Sequence, residues 1–249
     1  MSIVKILSFD IGIINLAVCL LYLNKETQIW TIEKWNLINI SNIKVQNNIP
    51  CSYININKAC KKNATYNINN SINYCTIHSK KFTNKTKIIS CKTDNYDIIK
   101  SNLIKELDKY PEYLGVDYVL IENQPSYKNP KMKAISTLVY DYFLIRGIID
   151  KHITNSTISS IKFVSPTSKI NMLPKEYIDK IKIAKTTETK SKHYSCIKKL
   201  TIEYCKNLIS NDNKWTEYFN AQKKQDDLAD CLIQGLIYCK KNNIFTIDI

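Results

Sequence analysis

A chain of 249 residues has room for one domain with a sizeable core and an insertion. Lys and Arg number 36 against 22 Asp and Glu, a formal charge of +14 that is almost all lysine, because Arg146 is the only arginine. Such a surplus favours a polyanionic partner, nucleic acid foremost. Asn, Ile, Lys and Tyr, the residues of AT-rich codons, are abundant, so genome composition accounts for part of it. The first apolar run is too short for a secretory signal and is broken by Lys5 and Asp10. No stretch approaches the length of a membrane span. Nine cysteines, an odd count, argue against a disulfide framework. The expectation is an intracellular protein with no membrane contact, some cysteines on a metal and the rest as buried thiols.

An apolar run rich in Ile and Val climbs from Ile3 to Asp10; Gly12, Asn15 and Ala17 follow, and then a second apolar run from Val18 to Leu23. This predicts a β-hairpin turning near Gly12, with both arms buried. A carboxylate in such a run is costly unless a metal ion or a basic group pairs with it, although an Asp can also cap a turn with its own side chain. Gln28 to Trp35 alternates as a third antiparallel strand would. Residues 40–92 are polar, Asn- and Lys-rich, and too poor in apolar side chains to bury a core. Within them Cys51, Cys60, Cys75 and His78 form C-x8-C-x14-C-x2-H. A coreless unit can use zinc as its core, and a tight turn can aim both Cys75 and His78 at one ion. Cys91 is a possible substitute ligand.

Further along, Ile98, Ile99, Leu103 and Leu107 recur at helical spacing, predicting a helix from Asp94 to Tyr110 that Pro111 ends. Val116 to Glu122 reads as a strand ending in an acid, and Asn123 to Pro130 as a polar loop. Lys131 to Asp150 reads as a second helix, and Thr157 to Val164 as another strand that leaves through a turn at Ser165–Lys169. Lysines crowd Lys175 to Lys192, which reads as a solvated or disordered loop. Ser191 to Ile209 looks helical, and a last helix runs from about Gln225 to Tyr238. Three strands feeding βαβα units give a mixed sheet with helices on its faces, and right-handed crossovers place the strand of Glu122 beside the first strand.

Asp227 and Asp230 stand three residues apart at the front of the last helix and share a face. Acids in a first helical turn are ordinary partners of the helix dipole. Yet Leu228, Leu232, Ile233 and Leu236 show that this helix packs on the core, which puts Asp230 near the apolar boundary. Asp10, Glu122, Asp227 and Asp230 would then gather at one sheet edge, where their repulsion calls for divalent cations. Two Mg²⁺ ions roughly 4 Å apart can activate water and stabilise the leaving oxygen of a phosphodiester.

Ser8 to Ala17, Val119 to Gln124 and Asp227 to Asp230 resemble the three acidic motifs of Holliday junction resolvases. The fit is best to the poxvirus-type branch of the RuvC-like group, and it covers almost the whole chain outside 40–92. The resemblance implies a ribonuclease H-like α/β domain over 1–249, with a five-stranded mixed sheet flanked by helices and a small zinc-binding insertion after the third strand. It implies a homodimer that nicks a four-way DNA junction symmetrically, in recombination or processing of replication intermediates. If the source is a large DNA virus, the place would be host cytoplasm or a viral replication site. Carried onto this chain, Asp10, Glu122, Asp227 and Asp230 would hold two Mg²⁺, with Mn²⁺ an alternative. Cys51, Cys60, Cys75 and His78 would hold a structural Zn²⁺. The family also uses a lysine near the metals: Lys169 is the first candidate and Lys192 the second. Asp226 competes with Asp227, since 226 and 230 also share a helix face. Gln124 is a candidate support for an acid on position alone, and Lys128, Lys131 and Lys133 are candidates to grip phosphates.

Three other readings compete. Asp-x-Gly in a hairpin also occurs in the actin and sugar-kinase superfamily, but that fold needs Gly-rich phosphate loops and this chain has only Gly12, Gly115, Gly147 and Gly235. A non-catalytic, zinc-dependent nucleic-acid binder would leave the acids dispensable. Another RuvC-like nuclease, acting on branched DNA or RNA–DNA hybrids, would share the same metal chemistry.

Overall fold

The computed structural model describes residues 3–41, 49–56, 58–69, 71–88, 95–127, 129–166 and 173–244. The chain divides into two compact units, residues 1–40 with 103–249, and residues 41–102.

The larger unit is built on β1 (Ile3–Asp10), β2 (Leu16–Asn24) and β3 (Ile29–Ile38), a meander of antiparallel strands. Gly12 makes its first turn possible: a Cβ there would stand 2.2 Å from the carbonyl oxygen of Asn15. Two later strands extend the sheet, which runs β10-β9-β1-β2-β3, where β9 is Tyr118–Glu122 and β10 is Ser160–Val164. Both join parallel to what they flank, so β1 is the central strand with β9 at its side. This is the ribonuclease H-like arrangement, a mixed sheet with helices on both faces.

Alternation along β1 sorts its side chains. Phe9 faces one way, against Phe143 at 5.6 Å between ring centres and Tyr113 at 6.5 Å. Phe143 ends α2 (Pro130–Phe143). Val4, Ile6 and Ser8 face the other way, toward the last helix. That face also takes Leu120 of β9 and a large apolar cluster from the C-terminal helices.

Several elements differ from the sequence expectations. Lys175–Thr187 is a helix rather than a loop. Its lysines hide a narrow apolar stripe, Tyr177, Ile181 and Ala184, which the fold buries; lysine is itself a good helix former. A short helix at Asn213–Ala221 has no counterpart among the expected elements; Asp212 caps it by accepting from the Trp215 amide at 3.1 Å. The second expected helix is α2 followed by a π turn at Leu144–Ile149 and by α3, Lys151–Thr154. With α1 at Tyr96–Leu107, the remaining helices in chain order are α4 (Lys175–Thr187), α5 (Lys190–Leu208), α6 (Asn213–Ala221) and α7 (Gln225–Lys241).

In the smaller unit the described residues form two short ladders. One pairs β4 (Ile54–Asn55) with β5 (Lys58–Ala59); the other is β7-β6-β8, where β6 is Tyr66–Ile68, β7 Ile72–Tyr74 and β8 Lys85–Lys87. Its buried residues between 49 and 88 are Cys51, Ile68, Cys75 and Ser79, far too little to form a core. None of the described helices is long and apolar enough to cross a membrane.

Candidate active site and candidate metal centre

Asp10 and Glu122 end adjacent parallel strands. Phe9 pairs with Ile121, so the next step of the register sets Asp10 beside Glu122, one strand spacing of about 4.8 Å away. Being even-numbered, both belong to the face that α7 covers. That helix is fixed on the sheet at several levels. Buried Gln234 donates to Ser8 Oγ at 3.1 Å and to the Phe9 carbonyl at 3.2 Å. Gly235 lets the helix in so closely that a Cβ would lie 2.6 Å from Leu21 Cδ1. Tyr238 meets Tyr118, at the start of β9, at 5.8 Å between ring centres. The helix therefore runs against the direction of β1. Asp230, one turn before Gln234 on the same face, is carried over the carboxyl ends of β1 and β9.

A cavity of about 270 Å³ opens there, lined among others by Glu122, Asp226, Asp230, Lys198 and Thr201. Asp226 is ion-paired with Lys198; burial favours the neutral amine, but the hydrogen bond and charge of the Asp226 carboxylate outweigh it and hold Lys198 charged. Burial likewise raises the Asp226 carboxyl, yet the Lys198 hydrogen bond and charge outweigh it and leave it below the usual range. Asp227 shows the opposite balance: burial first, then the charges of Asp226 and Asp230, push it up to about 6. Three acids crowded at a helix start thus carry a standing electrostatic cost, which a divalent cation would relieve. Among the described residues, however, these acids are not drawn together as tightly as the Cys/His group described below.

The second rank of residues is legible in part. Gln124 donates to Glu122 Oε2 at 2.8 Å, so the support read from position alone is in place. Lys133 donates to Asn123 Oδ1 at 3.1 Å and lies over Phe163, at the rim of β9 and β10. Lys192 pairs with Glu188 at 3.1 Å and lines a different hollow, between α4 and α5. Lys169, Lys128 and Cys91 lie outside the described residues. Lys198, which does line the acid cavity, is not among the lysines the sequence singles out. Its only sequence signal is its position between Ile197 and Thr201 on the inward side of α5, and that signal is lost among so many lysines.

In the smaller unit Cys51, Cys60, Cys75 and His78 place one ligand atom each within 4.8 Å of all the others. His78 Nδ1 is 3.4 Å from both Cys51 Sγ and Cys75 Sγ. A tetrahedral zinc with bonds of about 2.3 Å to sulfur and about 2.1 Å to nitrogen spaces its ligands by about 3.6 Å, so the set fits. The thiols are not alike: at Cys60 a backbone hydrogen bond from Lys62 favours thiolate, but burial and the neighbouring Cys51 and Cys75 thiols outweigh it and raise the thiol, whereas Cys75 is favoured as thiolate. Backbone amides of His78 and Ile77 hold the Cys75 thiol below its ordinary range, and the Cys75 amide itself donates to Cys51 Sγ at 3.3 Å. Tyr53 stacks on the His78 ring at 3.7 Å and fixes its plane. Cys19, Cys205, Cys231 and Cys239 are buried thiols of the larger unit, as expected, but Cys196, on α5, is only half-buried.

Residues 6–126 match the family described as mitochondrial resolvase Ydc2 / RNA splicing MRS1. That span includes Asp10 and Glu122 but not the last helix. A relative in Acanthamoeba polyphaga mimivirus, described as an uncharacterized protein, is 37% identical over 194 residues; the match takes in 72% of this chain and 46% of the relative. The chain therefore spans about half the length of this curated relative. Among solved structures, yeast mitochondrial Holliday junction resolvase Ydc2 is similar with a TM-score of 0.47 and 13% identity, over 96% of this chain and 84% of that one. Fowlpox virus resolvase, solved with substrate Holliday junction DNA, is similar with a TM-score of 0.48 and 16% identity, over 96% and 98%. The family match and the viral relative support the resemblance to poxvirus-type resolvases of large DNA viruses that the acidic motifs carry.

Proposed function

We infer that this chain is a metal-dependent, structure-selective endonuclease that resolves four-way DNA junctions by paired nicks, acting as a homodimer. One observation carries the reading: Asp10 and Glu122 end neighbouring parallel strands on the face where α7 brings Asp230. Asp10, Glu122, Asp230 and one or both of Asp226 and Asp227 would hold two Mg²⁺ or Mn²⁺ ions. Bound there, the ions would activate a water and stabilise the leaving oxygen of the scissile phosphodiester. The chain's own groups do the rest. Gln124 orients the Glu122 carboxylate, Gln234 fixes α7 on β1, and Lys198 keeps Asp226 ionised and adds a positive charge at the cavity wall. Lys169 stays the first candidate, ahead of Lys192, for the lysine that the resemblance places near the metals. The Cys/His unit would hold one structural Zn²⁺.

The description of the matched family joins a resolvase with an RNA-splicing protein, which supports a second reading, nucleic-acid binding without cleavage. The acids separate the two, because a binder has no use for carboxylates facing a polyanion. The test is Asp10→Asn with a synthetic four-way junction in Mg²⁺. Single-turnover cleavage should fall about 10³-fold or more, as for loss of a group that stabilises transition-state charge, while junction affinity stays the same or improves. Cutting by the variant at the wild-type rate removes the nuclease reading from this site.

A further inference from the structure

Residues 41–102 hold ten lysines and two acids, Asp94 and Asp97, so a net +8 of the chain's +14 sits in this one unit. The stretch 49–88 has seven lysines and no Asp or Glu at all. Codon composition does not explain this pattern, since a codon bias acts on the whole chain alike, whereas 20 of the 22 acids lie in the larger unit. Even after the single negative charge that a zinc ion carries with three thiolates and a neutral imidazole, the stretch stays strongly positive.

Placement sharpens the observation. Lys61 and Lys62 follow Cys60, and Lys80 and Lys81 follow His78 after one serine. The ligand atoms of Cys60 and His78 lie within 4.8 Å of each other. With at most about 3.8 Å per residue, both lysine pairs start from a common point and stay within a few nucleotides' reach of one another. The backbone holds them there: the Cys51 amide donates to the Lys62 carbonyl at 2.9 Å, and Lys80 and Lys81 close the short 3-10 turn that begins at His78. All four side chains are exposed, with Phe82 exposed beside them.

We propose that the Cys/His unit is a DNA-backbone clamp, in which the ligand centre pins Lys61–Lys62 and Lys80–Lys81 side by side to grip consecutive phosphates. The clamp reads charge rather than branching, so it adds affinity for any DNA strand that enters and leaves selectivity to the rest of the molecule. The proposal deepens the nuclease reading by naming a DNA-facing surface, yet it does not depend on cleavage.

The test compares the full-length wild type with a variant carrying Lys61→Ala, Lys62→Ala, Lys80→Ala and Lys81→Ala, both on the Asp10→Asn background so that no DNA is cut. Affinity for a four-way junction and for linear duplex of the same sequence is measured from low to moderate salt. Zinc content and thermal midpoint serve as folding controls. Removing a lysine from its phosphate should lower the salt slope by about 0.9, so a fall of about 2 to 4, alike for both DNAs and with zinc content unchanged, is expected. A slope and affinity that stay at the wild-type values overturn the clamp. Where the controls shift, Lys→Gln replacements at the same four positions decide by the same slope. A wild-type protein that binds through these lysines but never cuts would defeat the nuclease reading and leave the clamp standing.

Discussion

In the larger unit the acids ride on elements that form for other reasons. β1 is buried on both faces, α7 is apolar along most of its length, and Trp35 stacks on Phe219 while donating to the Leu228 carbonyl at 3.1 Å. Asp10, Glu122 and Asp230 are a charge cost that this core absorbs. Residues 49–88 show the reverse: among the described residues little apolar surface is buried beyond Ile68 and two of the cysteines, so the Cys/His cluster stands where a core would, with short ladders around it. One site is held by its fold, and the other fold is held by its site. Metal withdrawal should therefore separate them.

That separation is the largest effect expected. If zinc fills the Cys/His site as proposed, its apparent contribution would be about 10 to 16 kcal/mol, and its loss would leave the smaller unit nothing to fall back on. A strong chelator, or Cys75→Ser, should abolish amide-exchange protection across 49–88 while β1 and α7 keep theirs. Protection that survives in both units after complete metal loss would break the contrast. Next in size is Trp35→Ala in the larger unit. It removes a fully buried ring and its hydrogen bond, at a cost of about 3 to 5 kcal/mol, read by denaturant unfolding. The zinc stoichiometry should not change, since the ligands do not draw on that core.

How far each site can be read from the sequence follows the same division. Continuous apolar runs and the Gly12 turn announce β1 and β2, and the acids that end β1 and β9 are visible as soon as those strands are. The ligand spacing of Cys75 and His78 is equally plain, because a coreless unit leaves little else for cysteines to do. What stays hidden depends on helices whose apolar stripe is narrow. Tyr177, Ile181 and Ala184 are too few to stand out among the lysines around them, and only the apolar cluster they join shows that α4 exists. Lys198 is invisible for the same reason. A lysine matters by what stands opposite, and Asp226 is distant in sequence. The choice between Asp226 and Asp227 is open in the sequence because both spacings suit a helix face; in the structure Asp226 lines the cavity and Asp227 carries the raised carboxyl.

Lysine offers the finest comparison, with smaller effects. Lys198→Met deletes the charge beside Asp226 while keeping the stem. A group that supports a metal-holding acid from behind is worth about 10- to 100-fold, so single-turnover cleavage should drop by that factor, and the salt slope of binding should change by no more than about 1.

Lys192→Ala should do least. Its partner Glu188 is one helical turn away, and both side chains are largely exposed, at 72% and 41%. Such pairs are worth about 0.5 kcal/mol or less, so unfolding should barely move. Cleavage should match the wild type, because Lys192 lines the hollow between α4 and α5 rather than the cavity of Glu122 and Asp230. A large rate loss on Lys192→Ala, with Lys198→Met unaffected, would reverse the assignment. The phosphate would then have to approach from the α4 side, since one lysine cannot serve both hollows.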